Sequence, residues 1–269
     1  MNAVAAFGTL AGFELEGVIG RGRRSVVYLA RRPGADSVAL KVVRKAQLQG
    51  PGAAKAPAQE YEVLAALAHP HVIRPIAHGE AGDAAWLAME YAAGGSLARE
   101  KGPIGVARVV TLLREAAGAL AWIHEQGWVH RDVKPANLLL RADGTLALAD
   151  FGSACRSGSE SRQPPGTVIG TPRYAAPEQS EGAPADPAAD IYSLGVCLCE
   201  MLTGRPLYPG ETLAELLGQH LWAPVPRLAE EHSPWQPLLD AMLAKDASQR
   251  PSGGQAVLER LRNRSRNPS

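Results

Sequence analysis

A chain of 269 residues with 46% hydrophobic and 20% charged side chains can bury one large core or two smaller ones, and its composition excludes disordered, collagen-like and coiled-coil classes. A formal net charge of +1 supplies no global field for nucleic acid or an anionic membrane, and the basic run Arg260, Arg262, Arg264 and Arg266 reads as a solvated end. Cys155, Cys197 and Cys199 lack metal-ligand spacing, and a Cys-x-Cys inside an apolar stretch reads as buried thiols in a reducing, cytoplasmic compartment. Residues 1–12 carry no basic region or long apolar core, and the apolar-rich stretch 191–202 is interrupted by Ser193, Gly195 and Glu200. The expectation is a soluble, cytoplasmic chain with no membrane span and no nucleic-acid partner.

In chain order, strand patterning comes first. Phe13, Leu15 and Val18-Ile19 lead into a glycine turn, residues 26–30 lead out of it, and residues 38–43 follow a Pro33-Gly34 turn, which predicts three antiparallel strands. Residues 49–57 are broken by Gly and Pro; residues 59–68 then read as a helix with Leu64 and Leu67 on one face, ending at Pro70. Strand candidates at 72–77 and 85–91 complete a small sheet with one helix against it. After Gly94-Gly95 the period changes from two to about 3.6. Val109, Leu112, Leu113, Ala116, Leu120 and Ile123 line one face of a long helix that stops at Gly127. Further helices are expected at 187–202, 213–220, 234–244 and 254–262. The pattern predicts an α+β chain: a mainly β lobe over 13–90, a hinge at 90–93, a mainly α lobe over 94–262, and flexible termini at 1–12 and 263–269.

The chemistry concentrates in two strings. His130-Arg131-Asp132-Val133-Lys134-Pro135-Ala136-Asn137 puts an acid, a lysine and a carboxamide on one short loop, and Asp150-Phe151-Gly152 returns a carboxylate 13 residues after Asn137. Such a set can hold metal-bound phosphates beside a hydroxyl. Upstream, Gly20-Arg21-Gly22-Arg23-Arg24-Ser25-Val26-Val27 lies between strands, where its backbone N–H groups can face phosphates. Alone, that turn is matched by any hairpin with flexible glycines. A strand rather than a helix follows it, which disfavours a Rossmann site, and no Gly-Lys-Ser/Thr string marks a P-loop. Lys41, in Val38-Ala39-Leu40-Lys41, stands on the third strand; by itself a strand-end lysine is ordinarily a solvated edge residue.

Taken together, these strings resemble the protein kinase family. The resemblance implies a bilobal fold with a small antiparallel sheet lobe carrying one helix and a larger, mainly α-helical lobe. It implies ATP and Mg²⁺, with Mn²⁺ as the alternative ion, and a nucleotide site at Ile19, Gly20, Gly22, Ser25, Val27, Ala39, Lys41, Glu90, Ala92 and Leu139. Ser25 stands where the family usually has its third glycine, a departure that bears on loop flexibility and ATP affinity. Lys41 is expected to reach the α- and β-phosphates and to pair with Glu60, nine residues before His69-Pro70, with Glu62 as the alternative. Asp132 is the expected base; with a reference pKa of about 3.9 its part is mostly positioning and late proton transfer. Lys134 neutralises charge on the transferring group, and Asn137 and Asp150 hold the metal. His130 and Phe151 are expected to support the loop by packing, and His69, His71, His78, His124, His220 and His232 to be packing or surface groups. Glu178, in Ala176-Pro177-Glu178, is expected to pair with Arg250, and Asp190 to hold the catalytic-loop backbone. With these late matches the resemblance runs from about Leu15 to Leu261 and separates the chain from relatives that phosphorylate small molecules.

Lys134 and the string Gly170-Thr171-Pro172-Arg173-Tyr174 resemble the serine/threonine branch, so a protein substrate with a Ser or Thr acceptor is implied. Thr171 is expected to contact Asp132 and Lys134. Ser96 and Ala136 stand where many kinases that favour basic sites carry Glu, which predicts weak selection of upstream arginine. Arg131 beside Asp132 implies activation by a phosphorylated loop residue, with Thr167 as the leading acceptor, Ser157, Ser159 and Ser161 as alternatives, and a transient homodimer for autophosphorylation. Residues 166–171 and Glu178-Gln179 further resemble the eukaryotic-like kinases of bacteria, which often carry a membrane span and a sensor domain after the kinase domain; this chain is read as either a free-standing kinase or an excised domain. The rival readings are a nucleotide-binding scaffold without transfer activity and a small-molecule phosphotransferase.

Overall fold

The computed structural model describes residues 8–22, 24–44, 56–160 and 170–266, with side chains as far as residue 264. The chain divides into two compact units, Met1–Ala68 with Val72–Ala93, and His69–His71 with Gly94–Ser269.

The first unit is a six-stranded antiparallel sheet. Its strands are β1 (Thr9–Leu10), β2 (Phe13–Arg21), β3 (Val26–Arg31), β4 (Val38–Arg44), β5 (Pro75–Ala81) and β6 (Ala84–Glu90), in the spatial order β1-β2-β3-β4-β6-β5. One face packs Phe13, Ala30, Val38, Leu40, Trp86 and Ala88 into a core. Alternation of side chains along each strand places these residues on that face, and the Phe13 and Trp86 rings meet edge-on at 5.5 Å. Helix α1 (Ala56–Ala66) packs on β5 and β6, burying Glu60 and Leu64. It starts earlier than the pattern predicted, because Pro57 falls in the first turn, where a missing N–H breaks no helical bond. Two further expectations are corrected here. Residues 9–12 are not a loose terminus, since Thr9 pairs with Glu14 and Leu10 with Phe13 across a tight turn. The strand expected at 72–77 begins only at Pro75: Val72, buried, makes a lone bridge, and Ile73, also buried, packs ahead of the ladder.

The second unit is mostly helical. Helix α2 (Val106–Glu125) buries the predicted face, and α3 (Pro177–Glu181), α4 (Pro187–Thr203), α5 (Leu213–Trp222), α6 (Gln236–Met242) and α7 (Gly254–Arg266) follow. Apart from its two ends and Glu200, α4 is buried on all sides, as an all-round apolar helix must be. The helix expected at 234–244 is a 3₁₀ turn, Glu230–Trp235, running into the shorter α6. Helix α7 runs past the boundary expected at 262, and the Arg264 guanidinium stacks on Trp235 at 3.6 Å in its last turn. Periodicity missed the short strands, which are too brief to show a period: β7 (Gly95–Ser96), β9 (Leu138–Leu140) and β10 (Leu146–Leu148) form one sheet, and β8 (Trp128–Val129) pairs with β11 (Cys155–Arg156). His69 and His71 group with this unit, His69 stacking on Trp122 and the His71 Nδ1–H donating to the Leu146 carbonyl at 2.9 Å. No helix among the described residues is long and apolar enough to cross a membrane.

Candidate active site

In the sheet unit the glycine turn joins β2 to β3. Gly20 stands opposite Val27, and the Gly22 N–H donates to the Ser25 carbonyl at 2.8 Å. A Cβ on Gly22 would lie 2.9 Å from Ser25 Oγ, so a larger residue there would require the serine side chain to turn aside. Val27 faces Lys41 across the β3–β4 ladder, and Ala39 lies two residues from Lys41 on the same face of β4. Ile19 and Gly20 lie on β2. Glu90 ends β6, its carboxylate accepting from the Arg74 N–H at 2.9 Å, and Ala92 beyond it is buried. Leu139 belongs to the other unit, on β9 between Ser96 and Ala147.

Lys41 meets Glu60, and not Glu62. Its Nζ lies 2.7 Å from Glu60 Oε2 and 2.9 Å from Oε1, with only 4% of the glutamate side chain exposed. A pair this deep is held because each charge offsets the desolvation of the other; removing one partner strands the second.

In the helical unit the loop after β8 gathers Asp132, Lys134, Asn137 and Thr171. Lys134 Nζ donates to Asp132 Oδ2 at 2.6 Å and to Thr171 Oγ1 at 2.7 Å, and the Thr171 hydroxyl donates to Asp132 Oδ1 at 3.0 Å. Asn137 Nδ2 donates to the Asp132 carbonyl at 2.8 Å and to Oδ2 at 3.2 Å. The Asp132 carboxylate is thus approached by an ammonium, a hydroxyl and an amide, which set its rotamer.

The loop backbone rests on Asp190, at the first turn of α4. Asp190 Oδ2 accepts from the His130 N–H and Oδ1 from the Arg131 N–H, both at 2.8 Å. Its full burial would by itself raise the carboxyl pKa, but the hydrogen bond and charge of His124, followed by those of His130, hold it below the ordinary value. His124 Nε2 lies 3.0 Å from Oδ2. His130, fully buried, directs Nε2 to the Ala149 carbonyl at 3.1 Å and packs edge-on against Phe151 at 4.7 Å.

Asn137 and Asp150 are brought near one another by the β9–β10 ladder, and the Ala149 N–H donates to the Asn137 carbonyl at 2.9 Å. Asp150 adopts a left-handed backbone, φ 65° and ψ 70°, just before the 3₁₀ turn at Phe151–Ser153. Because the Asn137 amide nitrogen is committed to Asp132, its Oδ1 is the atom turned away from that carboxylate. A carboxamide oxygen and a carboxylate are hard donors that fit Mg²⁺, an ion that keeps waters and takes phosphate oxygens for its remaining positions.

The later segment is tied to the same loop. The Arg131 backbone is left-handed at φ 64°, and its Nε donates to the Ser153 carbonyl at 2.7 Å. Arg250 forms a two-pronged pair with Glu178 at 2.6 and 2.8 Å, and its guanidinium also donates to the carbonyls of Ala188, Ala244 and Lys245. Thr167 and Ser161 lie outside the described residues; Ser157 and Ser159 follow β11, with the Gly158 N–H donating to the Ala185 carbonyl and the Ala185 N–H to that of Ser159.

Four residues built into this region had been given no part in it by the sequence, which assigns His124 and His220 to packing or the surface and is silent on the side chains of Tyr174 and Gln179. His124 supports Asp190. Tyr174 donates to Glu200 at 2.9 Å, where burial pushes both groups' pKa values up. His220 directs Nε2 to the Arg173 carbonyl and Nδ1 to the Tyr192 hydroxyl, both at 2.9 Å. Gln179 touches the loop that carries Asp132. Only Gln179 left a sequence signal, a glutamine at the third position of a helix that opens on Pro177.

Comparison with known proteins covers both units. The protein kinase domain family matches residues 13–261. Serine/threonine-protein kinase pkn2 of Myxococcus xanthus is 36% identical over 90% of this chain, PknJ of Mycobacterium tuberculosis 34% over 90%, and PknB of Mycolicibacterium smegmatis 35% over 89%. The chain spans 31%, 43% and 40% of the length of these curated relatives.

Proposed function

Because the chain belongs to the protein kinase family, we propose that it is an ATP- and Mg²⁺-dependent serine/threonine protein kinase acting on protein hydroxyls. The observation that carries this reading is the triangle of Asp132, Lys134 and Thr171, in which a carboxylate, an ammonium and a hydroxyl lie within 3.0 Å of one another.

The acceptor hydroxyl oxygen bonds to the γ-phosphorus as the bond from that phosphorus to the bridging oxygen breaks; ADP leaves and the hydroxyl proton passes to Asp132. Lys134 offsets charge on the transferring group, and Lys41, held by Glu60, anchors the α- and β-phosphates. Asn137 and Asp150 hold Mg²⁺, which when bound neutralises phosphate charge. Ile19, Gly20, Gly22, Ser25, Val27, Ala39, Glu90, Ala92 and Leu139 contact the nucleotide. Arg131 receives the phosphate of an autophosphorylated Thr167, placed there by a second copy in a transient homodimer. Lys134 and Thr171 support Ser/Thr over Tyr acceptors, and the free Cys197 and Cys199, both buried, suit a reducing cytoplasm.

Purified protein incubated with Mg²⁺ and labelled ATP, with Asp132→Asn beside it, tests the reading. Label on Thr167 or neighbouring serines and on an added protein substrate, absent from the variant, is the expected result. ATP binding without any transfer overturns it in favour of a scaffold, and transfer to a metabolite alone in favour of a small-molecule phosphotransferase.

A further inference from the structure

We infer that Gln179 is a positioning residue for the catalytic loop, its carboxamide holding the peptide between Arg131 and Asp132 in the orientation that presents the Asp132 carboxylate; the inference deepens the kinase reading above and rests on it. The peptide concerned is under unusual demand. Arg131 is one of three non-glycine residues with positive φ among the described residues, a backbone that an L-residue keeps only where its surroundings over-determine it. Its N–H is held by Asp190 Oδ1 at 2.8 Å and its side chain by the Ser153 carbonyl at 2.7 Å.

The carbonyl is the remaining handle, and Gln179 Nε2 donates to it at 3.2 Å. Across from it runs Gly170, φ 92°, where an added Cβ would stand 2.6 Å from the Arg131 oxygen and 3.0 Å from Asp132 Oδ1. The carbonyl is therefore confined between the glycine backbone before Thr171 and the amide from α3. A change in ψ of Arg131 would swing that peptide and the Asp132 Cα with it, along with the N–H that Asp132 directs to His130 Nδ1 at 3.3 Å.

Gln179 performs two separable tasks. Its Oε1 accepts from the Ala176 N–H at 2.8 Å, closing the first turn of α3, while its Nε2 serves the catalytic loop. Glutamate in its place keeps the acceptor that caps the helix and replaces the donor by an oxygen facing a carbonyl oxygen. Methionine removes both atoms while keeping the length of the side chain.

The test compares wild type, Gln179→Glu and Gln179→Met, matched in phosphorylation state by mass spectrometry. It reads kcat, the KM for ATP, Tm, and amide hydrogen exchange over residues 130–134. For Gln179→Glu the expected result is a fall in kcat of about tenfold, the effect of losing one hydrogen bond that orients the backbone carrying a reacting group. The KM for ATP and the Tm stay at wild-type values and exchange over 130–134 quickens; Gln179→Met loses kcat similarly and loses Tm as well. Wild-type turnover in Gln179→Glu, or a loss of turnover that tracks a loss of Tm, overturns the inference. Exchange needs no turnover: if wild type itself transfers no phosphate, the kinase reading falls, while faster exchange in Gln179→Glu at unchanged Tm still supports the positioning role and unchanged exchange still overturns it.

Discussion

His220 shows how a single side chain inherits its chemistry from its surroundings. Burial, together with the charges of Lys245 and Arg173, lowers its pKa from 6.5 to about 4, against the opposing pull of the Arg173 carbonyl. Tyr192 and Tyr208 close the ring in. Between pH 6.5 and about 4 the unfolded chain binds a proton here that the folded chain does not, so stability falls as pH falls through that window. The loss from this ring is on the order of 3 kcal/mol by linkage. Glu200, whose pKa is raised by burial, acts in the opposite sense over its own range and offsets part of it. Urea unfolding at several pH values is expected to show a shallower decline below pH 6.5 in His220→Gln than in wild type; identical slopes would refute the assignment. Thr167→Ala belongs to the same scale. If Arg131 awaits a phosphate there, that variant keeps ATP binding and loses most of its autophosphorylation-dependent rate, whereas unchanged turnover removes Thr167 from the mechanism.

Elements are joined through a few contacts between residues far apart in the chain. Arg250 follows the 3₁₀ turn at Ala247–Gln249, yet its fully buried guanidinium binds Glu178 in α3 and the Ala188 carbonyl in α4. Arg250→Ala leaves Glu178 without its partner and is expected to cost about 3–5 kcal/mol, read as a lower urea midpoint at constant slope. Helices α4 and α6 meet at Gly195, where an added Cβ would lie 2.9 Å from Met242 Cβ and 3.1 Å from Leu243 Cδ2. Overpacking there is expected to cost Gly195→Ala about 1–3 kcal/mol, and full wild-type stability would mean that the helices can slide apart without cost. Both contacts set how firmly α4 is held, and α4 carries Asp190 beneath the loop of residues 130–137.

For the molecule as a whole, ligand binding and folding are linked. A nucleotide that binds only the folded chain stabilises it by about 2.7 kcal/mol at a hundredfold excess over Kd. ATP with Mg²⁺ is therefore expected to raise Tm, ATP with a chelator to raise it less, and Lys41→Met to blunt both shifts. Equal shifts with and without Mg²⁺ would argue against Asn137 and Asp150 as metal ligands.

What the sequence determined by itself was local and periodic. The alternation of Phe13, Leu15 and residues 38–43 specified strands, the 3.6 period from Val109 to Ile123 specified α2, and the strings at 130–137 and 150–152 announced phosphate chemistry, because each signal lies within a few turns of chain. Helix ends and short strands escaped it: Pro57 breaks a helical pattern by its residue type, yet a first turn tolerates it, and β7 to β11 are too brief to carry a period. The tertiary structure alone decided that a buried His124 serves Asp190 from 66 residues away, whereas for Lys41 it takes Glu60, the glutamate that the resemblance already preferred over Glu62. It alone placed the amide of Gln179 on the carbonyl of Arg131. Those choices depend on where distant segments meet in space and on the need of every buried charge and carbonyl for a partner, and neither is written in the neighbours of any one residue.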